Sequence, residues 1–176
     1  MAHLNISVIA SEDLLSSTDL PAYVDFINAC FATGHKRFHC FGAPRFVDLD
    51  SFKAEFKHKG CVLAVARDPE SDVIVACGGY KPNEDGSVDL KCLSTAENLE
   101  GKGIGTYMNS YIESLAREQE HKAINAVVVK EHGDLLGFYL RRGYEVVREE
   151  PLEVGSPEVG GKNVVEIVLV HTQKVL

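Results

Sequence analysis

A glycine-rich loop that runs directly into an amphipathic helix is the feature that most constrains the fold of this chain. The loop, EGKGIG, lies between a strand pattern at Ser87–Thr95 and a run at Ala123–Val129 that is apolar on both faces. The helix carries a stripe of residues three and four positions apart: Ile104, Tyr107, Met108, Tyr111, Ile112 and Leu115. Such a helix packs on a sheet, and a strand with two apolar faces is covered on both sides. The segment predicts a helix-covered sheet with Ala123–Val129 near its centre.

One strand, two helices and a hairpin are predicted upstream of this segment. LNISVIA, residues 4–10, predicts the strand, and Pro21 marks the start of the first helix. Residues 34–46, GHKRFHCFGAPRF, predict an irregular connection, because glycine and proline interrupt them. A second, short helix then has apolar residues on one face: Leu49, Phe52 and Phe56. CVLAVARD and VIVACGGY predict an antiparallel hairpin that turns at PESD.

The remaining strands complete the predicted sheet. SVDLKCLST predicts two unlike faces, with Val88, Leu90 and Cys92 on one and Asp89, Lys91 and Leu93 on the other. After the central strand, a helix ending at Gly143 and two closing strands at 144–147 and 163–171 are predicted. The predicted class is therefore α/β, in the mixed α+β sense, with a mostly antiparallel sheet of about seven strands flanked by four helices.

Size and composition predict one domain spanning residues 1–176. Hydrophobic residues make up 45% of the chain and charged residues 25%, and no apolar run approaches the roughly 20 residues that span a bilayer. The first residues, MAHLNISVIASEDLL, lack the basic and long apolar regions of a secretory signal. We expect a cytoplasmic location, with the nucleus left open, and no membrane partner.

Charge and cysteine content narrow the function classes. A net charge of −8 without a long basic cluster argues against nucleic acid as a partner and tolerates a cationic substrate. The five cysteines form no CxxC pair, and most lie within apolar runs, which predicts reduced, buried thiols: Cys30, Cys40, Cys61, Cys77 and Cys92.

Gly101, Gly103 and Gly105 leave bare backbone at the start of the helix. Glycine lets main-chain N–H groups approach a ligand, and the helix start adds unpaired donors and partial positive charge, so an anion such as phosphate is favoured. The Rossmann fingerprint GxGxxG fails, because Thr106 stands where its third glycine belongs and residues 96–100 separate the loop from its strand. The Walker loop is absent, since the Gly-Lys steps run GKG and GKN.

The loop and a second segment, GFYLRRGYEV, together resemble the Gcn5-related N-acetyltransferase (GNAT) family. The pyrophosphate loop of that family has Gln or Arg, two variable residues and then GxG or GxA, between the fourth strand and the third helix; Gly103 and Gly105 match it. Residues 138–139 and 143–144 are similar to the FYxxxGF segment of the family. The resemblance covers the whole element order. It implies a GNAT-like fold, with acetyl-CoA as co-substrate and no metal.

The resemblance implies an acetyl-CoA-dependent N-acetyltransferase that transfers an acetyl group to a primary amine by direct attack in a ternary complex. No cysteine lies in a motif that suggests an acyl-enzyme. A small-molecule amine is favoured over a protein lysine or N-terminus, because no extra recognition domain is present. Homodimers are frequent in the family, so a homodimer is compatible with the resemblance. Two alternatives stay open: a CoA-binding module or partner subunit without transferase activity, and an interaction protein without a cofactor.

Individual residues take roles from the resemblance. Tyr139 stands where family members protonate the departing sulfur, and Asp89 stands where the histone-acetylating branch has its catalytic Glu, so these are the candidate acid and base. The candidate cofactor-binding residues are Leu93, Ser94, Thr95, Gly101, Lys102, Gly103, Gly105, Thr106 and His132. The candidate substrate contacts are Phe38 and Phe41, from the connection that lines the acceptor pocket in the family. A structural role stays open for each: an exposed strand residue at Asp89, packed aromatics, or a helix cap at His132.

One departure from the family pattern concerns charge. Glu100 occupies the first position of the loop, where Gln or Arg is usual, and a carboxylate there repels a pyrophosphate. Binding through main-chain amides and the helix terminus does not need that side chain. Lys102 is the expected source of compensating positive charge.

Overall fold

The computed structural model describes residues 4–176, except for the side chain of residue 35. The strands are β1 (Asn5–Ala10), β2 (Val62–Arg67), β3 (Ile74–Pro82), β4 (Ser87–Thr95), β5 (Ala123–Val129), β6 (Glu145–Leu152) and β7 (Ile167–Val175). The helices are α1 (Ser11–Ser16), α2 (Leu20–Phe38), α3 (Leu49–Phe56), α4 (Ile104–Glu118) and α5 (Gly133–Leu140). Single 3₁₀ turns lie at Glu97–Leu99 and Pro157–Val159.

All seven strands form one sheet in the order β1-β2-β3-β4-β5-β7-β6. Every neighbouring pair is antiparallel except β4 and β5, which are parallel. The predicted mixed, mostly antiparallel sheet is confirmed, and β5 is an interior strand next to β4, the middle strand of the seven. None of the helices within residues 4–176 has the length and apolar character needed to cross a membrane.

Helices cover both faces of the sheet. One face packs against α1, α2 and α3 in a cluster that includes Leu14, Ile27, Phe52 and Leu63, all fully buried. The other face packs against α4 and α5, through Met108 and Ile112 among others. A smaller cluster, which includes Val129 and Leu169, extends the α2 face toward β6. The sheet is thus the middle layer of three, as the apolar stripe of α4 and the two apolar faces of β5 require.

Two helical segments differ from the prediction. Within residues 4–176 there are five α-helices instead of the predicted four. The additional helix is α1, whose six residues are too few for a periodic signal, although Leu14 is fully buried. The predicted irregular connection at 34–46 was wrong in its first part, since α2 continues to Phe38 and the irregular backbone begins at His39 with φ 55°. A glycine inside a helix costs only about 1 kcal/mol, and Phe38 recovers packing by stacking on His132 at 4.0 Å.

A bulge in β4 overturns the predicted alternation of its side chains. Cys92 has φ 55°, and two β4 residues, Cys92 and Leu93, stand opposite Gly78 alone on β3. Cys92 therefore packs on the α2 face of the sheet, whereas Val88 and Leu90 pack on the α4 face. The extra residue bends the strand and increases its twist.

β4 separates from β5 after a short contact. Their parallel pairing is confined to three residue pairs, Ser87 with Ala123, Val88 with Ile124, and Asp89 with Asn125. Beyond these pairs, the edge of β4 that faces β5 has no strand partner within residues 4–176. The sheet is therefore open in its middle, from Leu90 to Thr95 on one side and from Ala126 to Val129 on the other.

Gly79 fixes the spacing of β2 and β3. A methyl group at this position would lie 2.0 Å from the carbonyl oxygen of Val62, which is backbone and cannot turn away. Only glycine therefore allows the two strands their observed approach.

We expect Gly79→Ala to lower the free energy of unfolding by about 2 to 3 kcal/mol or more, because the new methyl group overlaps buried backbone. Urea unfolding followed by circular dichroism measures the loss. Gly133→Ala is the matched control: it adds the same methyl group where nothing lies within 4 Å, and it should not lower stability. A Gly79→Ala protein as stable as Gly133→Ala would contradict the packing described here.

Candidate active site

The loop before α4 is an open cradle of main-chain groups. Gly101 and Gly103 have φ 74° and 84°, in the left-handed region that favours glycine, and a methyl group added to either would meet nothing within 4 Å. Gly103 is also the N-cap residue of α4. The backbone at both glycines is therefore exposed to any ligand that approaches the start of the helix.

The first turn of α4 presents unpaired N–H groups beside this cradle. The first main-chain bond of the helix runs from the Tyr107 amide to the Gly103 carbonyl, at 3.0 Å, so the amides of residues 104–106 precede the helical bonding pattern. These donors and the positive end of the helix dipole favour an anion. The predicted ligand residues Gly101, Lys102, Gly103, Gly105 and Thr106 all lie here, and the side chain of Lys102 is exposed.

The end of β4 lies directly against this turn. A methyl group built on Gly105 would lie 3.4 Å from the Thr95 hydroxyl oxygen and 3.9 Å from the Phe138 ring. The structure therefore brings Thr95, Gly105 and α5 together around the start of α4. The open edge of β4, with Leu93, Ser94 and Thr95, leads from the gap in the sheet to the glycine cradle.

Arg142 also lies at the start of α4, and it was not predicted from the sequence. Its guanidinium lies 3.5 Å from the centroid of the Phe138 ring and donates to the Phe138 carbonyl at 2.6 Å and to the Thr106 hydroxyl. Arg142 falls at a variable position of the FYxxxGF pattern, so only its positive charge next to an anion-binding motif could have signalled it.

Tyr139 lies on the buried side of α5. Its ring makes edge contacts with Phe138 and Tyr144, each with centroids 5.1 Å apart. Burial raises the pKa of the Tyr139 hydroxyl, while the positive charge of Arg142 lowers it by a smaller amount. This hydroxyl makes no hydrogen bond to the residues whose side chains the structure describes. Tyr139 therefore keeps its proton at neutral pH and has a free donor.

Asp89 lies at the closed end of the gap, where β4 still pairs with β5. One of its carboxylate oxygens, Oδ1, accepts hydrogen bonds from the Asn83 amide at 2.8 Å and the Asn125 amide at 3.1 Å. Six residues of strand, roughly 20 Å, separate Asp89 from Thr95. The structure thus does not bring Asp89 to the glycine cradle, and it gives Asp89 a structural task in joining the two strands.

The other predicted residues lie at the open end of the gap, away from Asp89. His132 is the N-cap residue of α5, and its ring stacks on Phe38. Phe41 forms an isolated bridge with Asn163 and packs with the cluster around Val129. The structure brings Phe38 and His132 together, whereas Phe41 attaches the loop after α2 to the loop before β7.

Two apolar clusters lie on the α2 face, one around Ile27 and one around Val129. Between them lies a strip of polar side chains, called here the polar strip, which includes Asn125, Glu150 and His171. Strand alternation places Asn125 and Val127 on the face of Val129, and His171 on the face of its neighbour Leu169. Val127 is 50% exposed although it lies on an interior strand. His171 and Glu150 approach to 2.8 Å, and hydrogen bonds from His171 and Arg148 lower the pKa of the Glu150 carboxyl.

The far side of the strip is lined by Glu55, which bonds Arg45 at 2.9 Å and Lys91 at 3.1 Å. Sequence reasoning did not predict Glu55, Glu150 or His171, because they come from three separate elements. Among the side chains that the structure describes, no three His, Cys, Asp or Glu residues gather into a group that could hold a metal ion.

Known proteins resemble this chain in sequence pattern and in fold. The chain matches the model of the acetyltransferase (GNAT) family over residues 28–144, more than half of its length. No curated protein sequence matches it significantly.

Solved structures share the fold at low sequence identity. A ribosomal-protein-alanine N-acetyltransferase from Brucella melitensis has 20% identity and a TM-score of 0.69, covering 98% of this chain and 100% of that one. An IAA acetyltransferase from Bacillus cereus has 11% identity and a TM-score of 0.66, with 99% and 100% covered. The Salmonella typhimurium protein yncA, solved with its cofactor acetyl-CoA, has 17% identity and a TM-score of 0.68, with 99% and 94% covered.

We expect Cys77 and Cys92 to resist iodoacetamide at pH 8 in the native protein. Both are buried, and burial raises the pKa of Cys92 to about 12 and that of Cys77 well above its usual range, so neither is a thiolate. Peptide mass spectrometry after a timed reaction measures the labelling, and the same reaction in denaturant is the control. Rapid labelling of either residue in the native protein would contradict the burial described here.

Proposed function

Because the chain belongs to the acetyltransferase (GNAT) family, we propose that it is an acetyl-CoA-dependent N-acetyltransferase that transfers an acetyl group to a primary amine by direct attack in a ternary complex. The observation that carries this proposal is the gap between β4 and β5, whose open end lies beside the glycine cradle at the start of α4. A long, thin ligand with an anionic end suits such a gap.

The residues present fit coenzyme A. The cradle at Gly101 and Gly103 is open, and the Nε atom of Arg142 beside it is buried without a hydrogen-bond partner among the described residues. A diphosphate would accept from the amides of the loop and of the first α4 turn. The edge of β4 at Leu93, Ser94 and Thr95 would pair with an amide-containing arm as an added strand does.

Acetyl-CoA, when bound, supplies an activated thioester. Tyr139 then has one task, which is to hold a proton at its hydroxyl for the departing sulfur. Burial suits it to that task, because the raised pKa keeps the hydroxyl protonated throughout the neutral range. The edge contacts with Phe138 and Tyr144 fix the ring, so the donor needs no reorganisation.

The polar strip on the α2 face is the proposed entry for the amine. The gap connects the two faces of the sheet, so an amine on the α2 face reaches a thioester held from the α4 side. The carboxylates of Glu55 and Glu150 border the strip, and each is held in place by basic partners, so they offer fixed hydrogen-bond acceptors to an amine. Asp89 remains our candidate base, and it would act through water, because one of its oxygens already accepts two amide hydrogen bonds. A small-molecule amine suits a recessed strip better than a folded protein surface does.

We expect saturable binding of both acetyl-CoA and desulfo-CoA in calorimetric titrations. Both ligands carry the diphosphate and the pantetheine arm, on which the proposed contacts act. Acetyl transfer to a panel of primary amines then separates a transferase from a CoA-binding module, because the module would bind both ligands and transfer nothing. Absence of binding at millimolar ligand would overturn the proposal.

We expect Tyr139→Phe to lower kcat at least about tenfold while KM for acetyl-CoA changes less, because the variant keeps the ring and loses the proton donor. Steady-state kinetics at saturating amine measure both constants. Tyr144→Phe is the matched control, since Tyr144 is likewise buried and its hydroxyl donates to Asn109, at 3.4 Å, on the same face of the sheet. An unchanged kcat in Tyr139→Phe would remove the acid role.

A further inference from the structure

We propose that Arg142 is the side-chain cation that binds the diphosphate of coenzyme A, in place of the Gln or Arg that Glu100 replaces at the start of the loop. This inference rests on the proposed function, and it assigns a residue of α5's C-terminal turn to a site otherwise built from the β4–α4 loop. Three observations carry it: the position of the guanidinium, the absence of an anionic partner and the constraint on the side chain.

The guanidinium lies at the start of α4. It donates to the hydroxyl of Thr106, which is in the first turn of the helix and one residue from Gly105. The guanidinium therefore lies beside the first turn of α4, whose amides precede the helical bonding pattern. An anion bound by those amides would have the guanidinium as a neighbour.

Arg142 forms no salt bridge with the part of the chain that the structure describes. Among the described residues no carboxylate lies within 4.0 Å of its guanidinium, whereas the salt bridges that do form include Arg45 with Glu55 and Arg148 with Glu150. Its partners are a carbonyl, a hydroxyl and an aromatic face, all neutral, and its Nε atom is buried and unpaired. Burial lowers the pKa of the Arg142 guanidinium, because the side chain has lost part of its contact with water. A partly desolvated cation with a donor to spare gains most from an anionic ligand.

Packing holds Arg142 in place before any ligand binds. The stack on Phe138 and the bond to the Phe138 carbonyl fix the side chain from two directions. Lys102, by contrast, is exposed on the loop, so ordering it on a ligand costs side-chain entropy. Arg142 therefore supplies positive charge at lower entropic cost than the residue that the loop sequence suggested.

The negative charge of Glu100 affects the pKa of a residue on α2. After burial, the charges of Glu100 and Glu97 are the next causes that raise the pKa of Cys30, on α2, to about 11. Glu100 belongs to the β4–α4 loop, whereas Arg142 reaches the start of α4 from the turn after α5. The two charges act on the site from different elements.

The first test is calorimetric titration of coenzyme A into wild type, Arg142→Gln, Arg142→Lys and Arg141→Gln. We expect Arg142→Gln to weaken binding roughly tenfold or more, because it removes charged hydrogen bonds from a partly buried site. Arg142→Lys should lie between Arg142→Gln and wild type. Arg141→Gln, the matched control, removes the same charge from an exposed neighbour and should change Kd about twofold or less.

The outcomes separate the two proposals. Arg142→Gln within twofold of wild type, or Arg141→Gln as damaging as Arg142→Gln, would overturn the role of Arg142 and leave the proposed function standing. A wild type that does not bind coenzyme A would overturn the proposed function and this role with it.

A second test follows one resonance of the folded wild-type protein and needs a variant only for its assignment. The Nε–H resonance of Arg142 is identified in ¹⁵N spectra by its disappearance in Arg142→Lys. We expect coenzyme A and inorganic pyrophosphate to shift this resonance and pantetheine, which lacks phosphate, to leave it in place. A resonance that does not move at saturating coenzyme A, or that pantetheine moves equally, would overturn the inference.

Discussion

Loss of pairing between β4 and β5 after three residue pairs is the constraint on which the site depends. A parallel pair normally continues along both strands, and here the bulge at Cys92 turns β4 away from its neighbour. The bulge places a non-glycine residue in the left-handed region, which is costly in isolation. Burial of Cys92 among the helices of the α2 face offsets that cost. The gap is therefore built into the fold by the bulge and by the packing of Cys92.

Polar contacts within α4 and between α4 and the sheet keep the helix aligned with the gap. Glu113 is buried on α4 and bonds both Asn109, one turn earlier, and Lys174 of β7, each at 2.7 Å. A buried carboxylate left without its partner is strongly unfavourable, so this pair fixes the rotation of the helix over β7. The first turn of α4 is then directed at the end of β4. The N-terminal end of α4 and the open strand edge thus have one common origin in packing.

Much of the fold could be predicted from sequence, because its elements are locally encoded. The stripe on α4 and the two apolar faces of Ala123–Val129 determine their own packing, and positive φ at Gly101 and Gly103 needs the glycines that the sequence shows. The bulge could not be predicted, since Cys92 is not a glycine and the face to which it turns depends on helices distant in sequence. Likewise, α1 is too short for its periodicity to show, and Gly34 suggested a helix end that tertiary packing overrides.

The site was predictable where it is made of backbone and less so where it is made of side chains. The loop glycines and the end of β4 lie together as expected, because adjacent elements bring them there. Asp89 has two amide partners that only the folded sheet supplies, one of them Asn125 on the next strand. Arg142 joins the site through contacts with Thr106 and Phe138, thirty-six and four residues away. Long-range contacts of this kind leave no local pattern to recognise.

The gap also gives the sheet two inner edges in addition to the outer edges at β1 and β6. Exposed strand edges invite pairing with other chains and so favour aggregation. Here the inner edges face each other across the gap, between α2 on one face of the sheet and α4 and α5 on the other. A ligand with amide groups along a thin chain would pair with the open edge of β4 and, by covering it, would also remove a site of unwanted strand pairing.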